Sequence, residues 1–319
     1  MTKTIIVTGA SGFIGGQTAL QLKSAGYHVV GIDLQPATPE LASAFDEFYQ
    51  GNFSSDVALN VISNYDTSAI IHCAGTSLVG PSMRDPELYY QNNFVRTKIL
   101  LDYIIANKLQ NKIRVIFSSS ASVYGEPIMT PCQEEDPPMP LSPYGDSKLM
   151  VEMMLKSYHQ AYGLDFVTFR YFNACGADRL GRHGQRPNAT HIIARVLESA
   201  RNNEPFVLYG TSYPTPDGTC IRDYVHVEDI ARAHILAIDR SIPIDAYNLG
   251  SNNGSSNRDI IALAREITNK DIQVIEDQPR SGDPAELTAS AAKFSLLAQD
   301  WRQHSLRDMI THAWAWYNK

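Results

Sequence analysis

The stretch Ile5-Ile6-Val7-Thr8-Gly9-Ala10-Ser11-Gly12-Phe13-Ile14-Gly15 decides the fold. An apolar strand runs into a glycine turn, and the turn opens a helix-periodic segment from Ile14 to Ala25. Glycines at this spacing let the chain reverse sharply and let a pyrophosphate approach the exposed N–H groups of a helix N-terminus. The next apolar run, Val29-Val30-Gly31-Ile32, ends at Asp33, 24 residues after Gly9. A carboxylate at that point can accept hydrogen bonds from a ribose diol and repels a 2′-phosphate. Leu34 supplies no compensating cation. The segment therefore reads as a dinucleotide site that favours NAD over NADP, built from Gly9, Ser11, Gly12, Phe13, Ile14, Gly15 and Asp33.

Outward from this turn the pattern repeats. Ala69-Ile70-Ile71-His72, Arg114-Val115-Ile116-Phe117 and Phe166-Val167-Thr168-Phe169 are apolar on successive positions, as strands covered on both faces are. Helix-like segments at Pro86–Asn107 and Pro143–Tyr162 separate them. Alternation of this kind predicts an α/β fold with a doubly wound parallel (Rossmann) sheet. The second half is less regular. It offers helices near His191–Asn202, Asp229–Asp239, Arg258–Thr268 and Leu306–Tyr317, and a strand at Phe206–Tyr209. The expected division is an NAD-binding domain over 1–174 and a smaller α/β substrate domain over 175–319, with part of 226–252 returning to the first. The Pro127–Pro143 stretch, with six prolines, reads as a surface loop. Gly176–Thr190, which carries Arg179, Arg182 and Arg186, reads as another, either solvated or closing over a ligand.

Composition narrows the class. The 319 residues are 44% hydrophobic and 19% charged, which is ample for a core. Lys and Arg number 27 against 34 Asp and Glu, a net charge of −7, so the broad basic footprint of a nucleic-acid binder is missing. No apolar run reaches the roughly 20 residues that span a bilayer. The N-terminus enters a strand at once, without a leader pattern. Cys73, Cys132, Cys175 and Cys220 are widely spaced, which disfavours a disulfide scaffold and a structural zinc site. The expectation is a cytoplasmic enzyme with no metal, no nucleic-acid partner and no membrane association.

The chemistry points to Pro143-Tyr144-Gly145-Asp146-Ser147-Lys148. Tyr144 and Lys148 stand four apart on one helix and share a face. A free phenol titrates near 10, so Tyr144 needs a neighbouring ammonium and a cationic nicotinamide ring to act as a base at neutral pH. Upstream, the strand at Arg114–Phe117 runs into Ser118-Ser119-Ser120-Ala121-Ser122-Val123-Tyr124-Gly125. Hydroxyls at the C-terminal end of a sheet strand lie where α/β folds place their ligands. Ser120 can then hydrogen-bond the substrate oxygen that Tyr144 deprotonates.

These residues resemble the extended short-chain dehydrogenase/reductase family and, within it, the UDP-glucose (UDP-galactose) 4-epimerases. The likeness continues through His72-Cys73-Ala74-Gly75, Tyr89-Tyr90-Gln91-Asn92-Asn93, Arg170-Tyr171-Phe172-Asn173, Asp217-Gly218-Thr219, Ile221-Arg222-Asp223-Tyr224-Val225-His226-Val227 and Pro279-Arg280 with Gly282-Asp283-Pro284. The resemblance implies an isomerase that inverts C4 of a UDP-hexose through a 4-keto intermediate. In that scheme Tyr144 is the base, Ser120 its hydrogen-bonding partner, and Lys148 the cofactor-binding group that tunes it. Asn52, Phe53, Cys73, Ala74, Gly75, Ser77, Asn93, Ser118 and Phe172 would complete the NAD site. Asn173, Arg222, Arg280 and Asp283, with Ser120, would hold the substrate, since arginine forks suit a diphosphate. Val207 and Tyr209 match positions that flank uracil, with core packing as the alternative.

Three positions depart from the family pattern. Ser77 replaces a lysine carried by some members, and Asn52 a frequent aspartate whose adenine contact an amide oxygen can still make. Leu287 is intermediate in size where bulk governs a 2-acetamido group, so UDP-N-acetyl sugars stay within the implied range. A 4,6-dehydratase is disfavoured because Ala121-Ser122 stand where its acid/base pair would be; a UDP-uronate 4-epimerase is the nearer alternative, and a non-catalytic NAD-binding protein the remote one. The helices Pro86–Asn107 and Pro143–Tyr162 carry apolar faces at Leu100, Leu101 and Ile104 and at Met150, Met153 and Met154, for which core packing is the default reading; the resemblance, in which two such helices of each subunit pair, implies a homodimer.

Overall fold

The protein is seen in a computed structural model that describes residues 2–187, 189–279 and 283–319. The strands are β1 (Thr4–Thr8), β2 (His28–Asp33), β3 (Glu47–Gln50), β4 (Thr67–His72), β5 (Arg114–Ser120), β6 (Asp165–Tyr171), β7 (Asn173–Cys175), β8 (Phe206–Tyr209), β9 (Ile221–His226), β10 (Ala246–Leu249), β11 (Gly254–Ser256), β12 (Val274–Asp277) and β13 (Glu286–Leu287). All five apolar runs singled out in the first half lie in one seven-stranded parallel sheet, ordered β10-β6-β5-β4-β1-β2-β3. Helical crossovers cover both faces, and every residue of β1 is buried. Its partners are in register: Thr8 pairs with Ile32 and with His72, and His72 with Phe117. The strands' C-terminal ends, Asp33 and Ser118 among them, and the glycine turn and Cys73 that follow β1 and β4 are thereby delivered to one edge of the sheet.

Two compact units interleave along the chain. One comprises Met1–Gly125, Pro137–Arg170 and Ala231–Tyr247; the other comprises Glu126–Asp136, Tyr171–Ile230 and Asn248–Lys319. The first has a core of Ile6, Val30, Ile70 and Val115 from the strands, with Leu100, Leu101, Ile104, Val151 and Leu155 from the helices. In the second, β7, β9, β11 and β13 form one sheet and β8 pairs with β12. Its core gathers Ile193, Val196 and Leu197, Ile260 and Ile261, and Met309 and Ile310 against Phe206 and Leu208.

The helix Pro143–Tyr162 forms over its full predicted span. Ser142 caps it by accepting from the Gly145 N–H, proline occupies its first position, and Gly163 ends it at φ 74°. The continuous helix expected over Pro86–Asn107 is instead interrupted. Pro86–Tyr89 and Arg96–Ala106 are α-helical, and the turn between them, Tyr90–Val95, is a π-helix. A wide turn of this kind re-aims side chains. Here it accompanies a buried Asn93, while Leu100, Leu101 and Ile104 stay in the core. The proline-rich stretch has no regular element, yet it is not a surface loop throughout. Cys132 is fully buried, its N–H donating to the Thr288 carbonyl and its own carbonyl accepting from the Ser290 N–H.

Three histidines form a closed cluster in the second unit. Nδ1 of His226 accepts from the Glu228 N–H at 3.0 Å, so its Nε2 carries the hydrogen that meets His312 Nδ1 at 3.0 Å. The His304 ring stacks on His226, 4.0 Å between centroids. Its Nδ1 lies 2.7 Å from Asp229 and its Nε2 3.2 Å from Glu228. Burial lowers the affinity of His304 for a proton, but the two carboxylates outweigh it and lift the group to about 9. A raised histidine stabilises the folded state fully below the unfolded value near 6.5, and that stabilisation disappears as pH climbs through about 9. We therefore expect thermal melting temperature to fall more steeply between pH 6 and pH 9.5 in the wild type than in His304→Gln. The differential should be on the order of 2–3 kcal/mol. Parallel pH curves for the two proteins would contradict this assignment.

Candidate functional site

In the first unit the site is built on the sheet edge described above. Gly9 has φ 69°, and a Cβ there would lie 2.7 Å from the Ala74 nitrogen, so the glycine turn presses directly on the 73–74 segment. At Gly15 a Cβ would fall 2.1 Å from the Gly9 carbonyl oxygen. Phe13 and Ile14 begin the helix Phe13–Ser24, whose N-cap Gly12 carries no capping side chain. A helix N-terminus without a capping side chain favours an anion. Asp33 ends β2 with one carboxylate oxygen accepting from the Ser11 N–H at 2.9 Å and the other from the Gln35 N–H at 2.9 Å. The Ser11 hydroxyl donates to the Gln35 carbonyl. The acid and the glycine turn are thus fastened together.

Cys73, Ala74, Gly75 and Ser77 follow β4. The Ser118 hydroxyl donates to Cys73 Sγ, and burial pushes that thiol up to about 11. Asn93 reaches the same segment: its Oδ1 accepts from the Thr76 N–H at 2.6 Å, and its amide donates to the Thr76 carbonyl and the Ser147 hydroxyl. The exposed Ser77 contributes its carbonyl to the Tyr89 hydroxyl. Phe53 is buried with its ring edge-on to His72. Asn52 uses its side-chain oxygen locally, accepting from the Ser54 N–H and hydroxyl.

Ser120, Tyr144 and Lys148 meet at the end of β5. The Lys148 ammonium is almost fully buried and donates to the Ser118 carbonyl at 2.8 Å. It lies 5.9 Å from the centre of the Tyr144 ring. Burial pushes Lys148 down to about 8, partly offset by Cys73 and Glu152. Burial likewise raises Tyr144, and its hydrogen bond with Ser120 draws it part of the way back. The Ser120 hydroxyl also donates to Ser122 Oγ and accepts from the Ser122 N–H. The arrangement is a buried phenol next to a hydroxyl, with a cation behind both, which is the equipment for proton transfer at a carbinol oxygen.

The second unit holds the remaining candidates. The Asn173 amide donates to the Asp223 carbonyl, and the Phe172 N–H to the Leu249 carbonyl. Arg222 and Asp283 come together, Nη2 to carboxylate at 3.6 Å, with the arginine mostly buried and the acid half exposed. Arg280 lies outside the described residues. Along β8, Phe206 and Leu208 are buried while Val207 and Tyr209 are partly exposed, so the latter two sit on the face away from the core. In the arginine-bearing loop, Arg182 is held by Asp178 at 2.7 Å and the Arg179 N–H donates to Glu228.

Sequence reasoning passed over three supports. Thr76 and Ser147 hold Asn93, and the buried Glu152–Arg170 pair lies one strand and one helical turn from Lys148. The only sequence signals for them are a glutamate four residues after Lys148 and an arginine inside an apolar strand.

Comparison with known proteins identifies the family. Residues 5–250 match the model of the NAD dependent epimerase/dehydratase family. UDP-glucose 4-epimerase of Halalkalibacterium halodurans is 38% identical, over 99% of this chain and 96% of that protein. The crystal structure of UDP-glucose 4-epimerase from Brucella ovis in complex with NAD superposes with a TM-score of 0.92 at 37% identity, covering 98% of each chain. That of the Bifidobacterium longum enzyme with NAD+ and UDP gives 0.90 at 32% identity, covering 99% of this chain and 98% of the other. By its sequence match over most of its length, by its fold and by its full-length relatives, the chain belongs to the NAD dependent epimerase/dehydratase family.

Proposed function

We propose that the protein inverts C4 of a UDP-hexose, interconverting UDP-glucose and UDP-galactose. The observation that carries this reading is the convergence of Ser120, Tyr144 and the buried Lys148 at the tip of β5. The full-length likeness to UDP-glucose 4-epimerases supports the substrate class.

NAD fits the residues present. The glycine turn leaves a helix N-terminus uncapped, and Asp33 stands ready for a ribose diol. Gly75 has φ 155°, and a Cβ there would sit 2.8 Å from Asn93 Oδ1 and 3.7 Å from Lys148 Nζ, so this surface accepts no side chain of its own. When bound, NAD supplies a hydride acceptor that later acts as donor, with no net redox, so it has no need to leave between turnovers.

The chain's own residues move and hold the protons. Tyr144 takes the proton of the C4 hydroxyl, and Ser120 donates a hydrogen bond to the same oxygen as it becomes a carbonyl. Lys148, charged below about pH 8, stabilises the phenolate through space. After the sugar presents its other face, Tyr144 returns the proton. Arg222, with Arg280, binds the diphosphate so that UDP stays anchored while the hexose turns. Val207 and Tyr209, on the partly exposed face of β8, are the candidates to flank uracil. Ala121-Ser122 offer no acid/base pair for dehydration.

We also propose a homodimer in a reducing, cytoplasmic setting. Leu100, Leu101 and Ile104 are fully buried in the core and are not available to a partner; Leu88, Val95 and Ile99 in the first stretch and Met153 and Tyr162 in the second are exposed. All four cysteines are free thiols, and no described helix is long and apolar enough to cross a membrane. Light scattering should give a particle of two chains, and a monomer-sized particle would rule the dimer out.

The primary test incubates purified protein with UDP-galactose, then with UDP-N-acetylgalactosamine, and identifies the products. UDP-glucose should form from the first; no conversion of either sugar would overturn the reading. Tyr144→Phe should lower kcat by about 10³-fold while calorimetry still detects NAD binding. Arg222→Ala should raise KM about 10- to 100-fold, from the loss of charge-assisted hydrogen bonds, with NAD affinity unchanged.

A further inference from the structure

Beneath the β5 tip lies a buried ionic network that the proton-transfer scheme does not use. Glu152 and Arg170 are each about 97% buried, with side-chain exposures of 3% and 3%, and their closest N–O distance is 2.7 Å. Arg170 Nε also contacts Glu152 Oε1 at 3.1 Å, and Nη1 donates to the Tyr124 hydroxyl at 2.9 Å. The remaining link is unusual in its placement: the Ser119 hydroxyl donates to Glu152 Oε1 at 2.5 Å. Ser119 stands between Ser118, whose carbonyl receives the Lys148 ammonium, and Ser120. Tyr144, Lys148 and Glu152 follow one another at four-residue spacing on the helix Pro143–Tyr162, so they form a single stripe.

A buried ion pair is by itself weak evidence of stabilisation, since apolar residues of similar volume often serve as well. We infer that Glu152 is a positioning residue for proton transfer: anchored by Arg170, its carboxylate fixes the Ser118–Ser120 strand tip through Ser119 and places a negative charge one helical turn from the Lys148 ammonium. This rests on the reading of Tyr144 and Ser120 given above. Two effects are separable. The charge of Glu152 favours the Lys148 ammonium, opposing the burial that lowers it to about 8. The hydrogen bond to Ser119 places the Ser118 carbonyl and the Ser120 hydroxyl relative to the helix. A misplacement of about 1 Å in such a group is enough to cost on the order of 10²-fold in rate.

The charge effect is read without turnover. In ¹⁵N-lysine-labelled protein without added substrate, the Lys148 resonance is assigned by its loss in Lys148→Arg, and its titration midpoint is followed. Glu152→Gln should move that midpoint down by roughly one pH unit. The positional effect is read in Ser119→Ala, which leaves the ion pair intact. That variant should keep its KM for UDP-galactose while kcat falls about tenfold, and Ser119→Thr, which retains the hydroxyl, should recover most of the loss. A folded Glu152→Gln with Lys148 titrating as in the wild type overturns the inference. So does a Ser119→Ala that turns over normally, which keeps the test decisive if Glu152→Gln fails to fold. Unimpaired turnover in Tyr144→Phe would instead remove the proposed reaction, while leaving the shift of Lys148 in Glu152→Gln to be observed independently.

Discussion

Placing one ammonium in the interior constrains most of the first unit. Lys148 is 6% exposed, and a lone cation in such a position is costly unless its hydrogens find acceptors. The Ser118 carbonyl provides one, two residues before the end of β5. That carbonyl must be held level with the second turn of the Pro143–Tyr162 helix. The Ser142 cap, the proline at the first helical position and the absence of a side chain at Gly145 meet this requirement, since a Cβ at Gly145 would lie 2.6 Å from the Ser122 carbonyl oxygen. Helix start and strand end are thus fitted to each other at the point where the chemistry is proposed.

The same burial sets two opposing demands. It raises Tyr144, which would make the phenol a poorer base, and lowers Lys148, which would weaken the cation meant to correct this. Ser120 eases the first and Glu152 the second. The second unit solves a different problem, that of holding irregular backbone still. The Asp223 carboxylate, which burial pushes upward, accepts from the Ser251 N–H and hydroxyl, the Asn252 N–H and the Ala289 N–H. One residue before it, Arg222 faces Asp283. The arginine is thus carried on a strand fixed from both sides, as the diphosphate-holding role proposed for it requires.

Legibility in the sequence followed burial. Strands covered on both faces announce themselves as apolar runs, so β1, β2, β4, β5 and β6 were readable. β3, Glu47-Phe48-Tyr49-Gln50, was not, because a half-exposed edge strand keeps polar ends. β10 was hidden by its shortness and by its distance in sequence from β6, beside which it lies. The π-helical turn at Tyr90–Val95 left no mark in the apolar spacing, since what distinguishes it, Asn93 reaching Thr76 and Ser147, is a tertiary contact. At the site, Tyr144, Lys148 and Ser120 were visible as motif and position. Glu152 was not, because a glutamate in a helix reads as a solvated face until its neighbours are known.

Asn52 shows why chemical equivalence argued from sequence has to be checked against the local turn. An amide oxygen resembles a carboxylate oxygen as an acceptor, which makes asparagine a plausible substitute for an aspartate that meets an adenine amine. Here that oxygen accepts from both the Ser54 N–H and the Ser54 hydroxyl, and the Asn52 carbonyl accepts from the Ser55 hydroxyl. These bonds build the turn that leads into the helix Asp56–Asn64, which Ser55 caps. A carboxylate in the same turn would keep its second oxygen for a ligand, whereas the other end of asparagine is a donor. The two hydrogen bonds from Ser54 thus already engage the oxygen that the sequence offered as an acceptor for adenine.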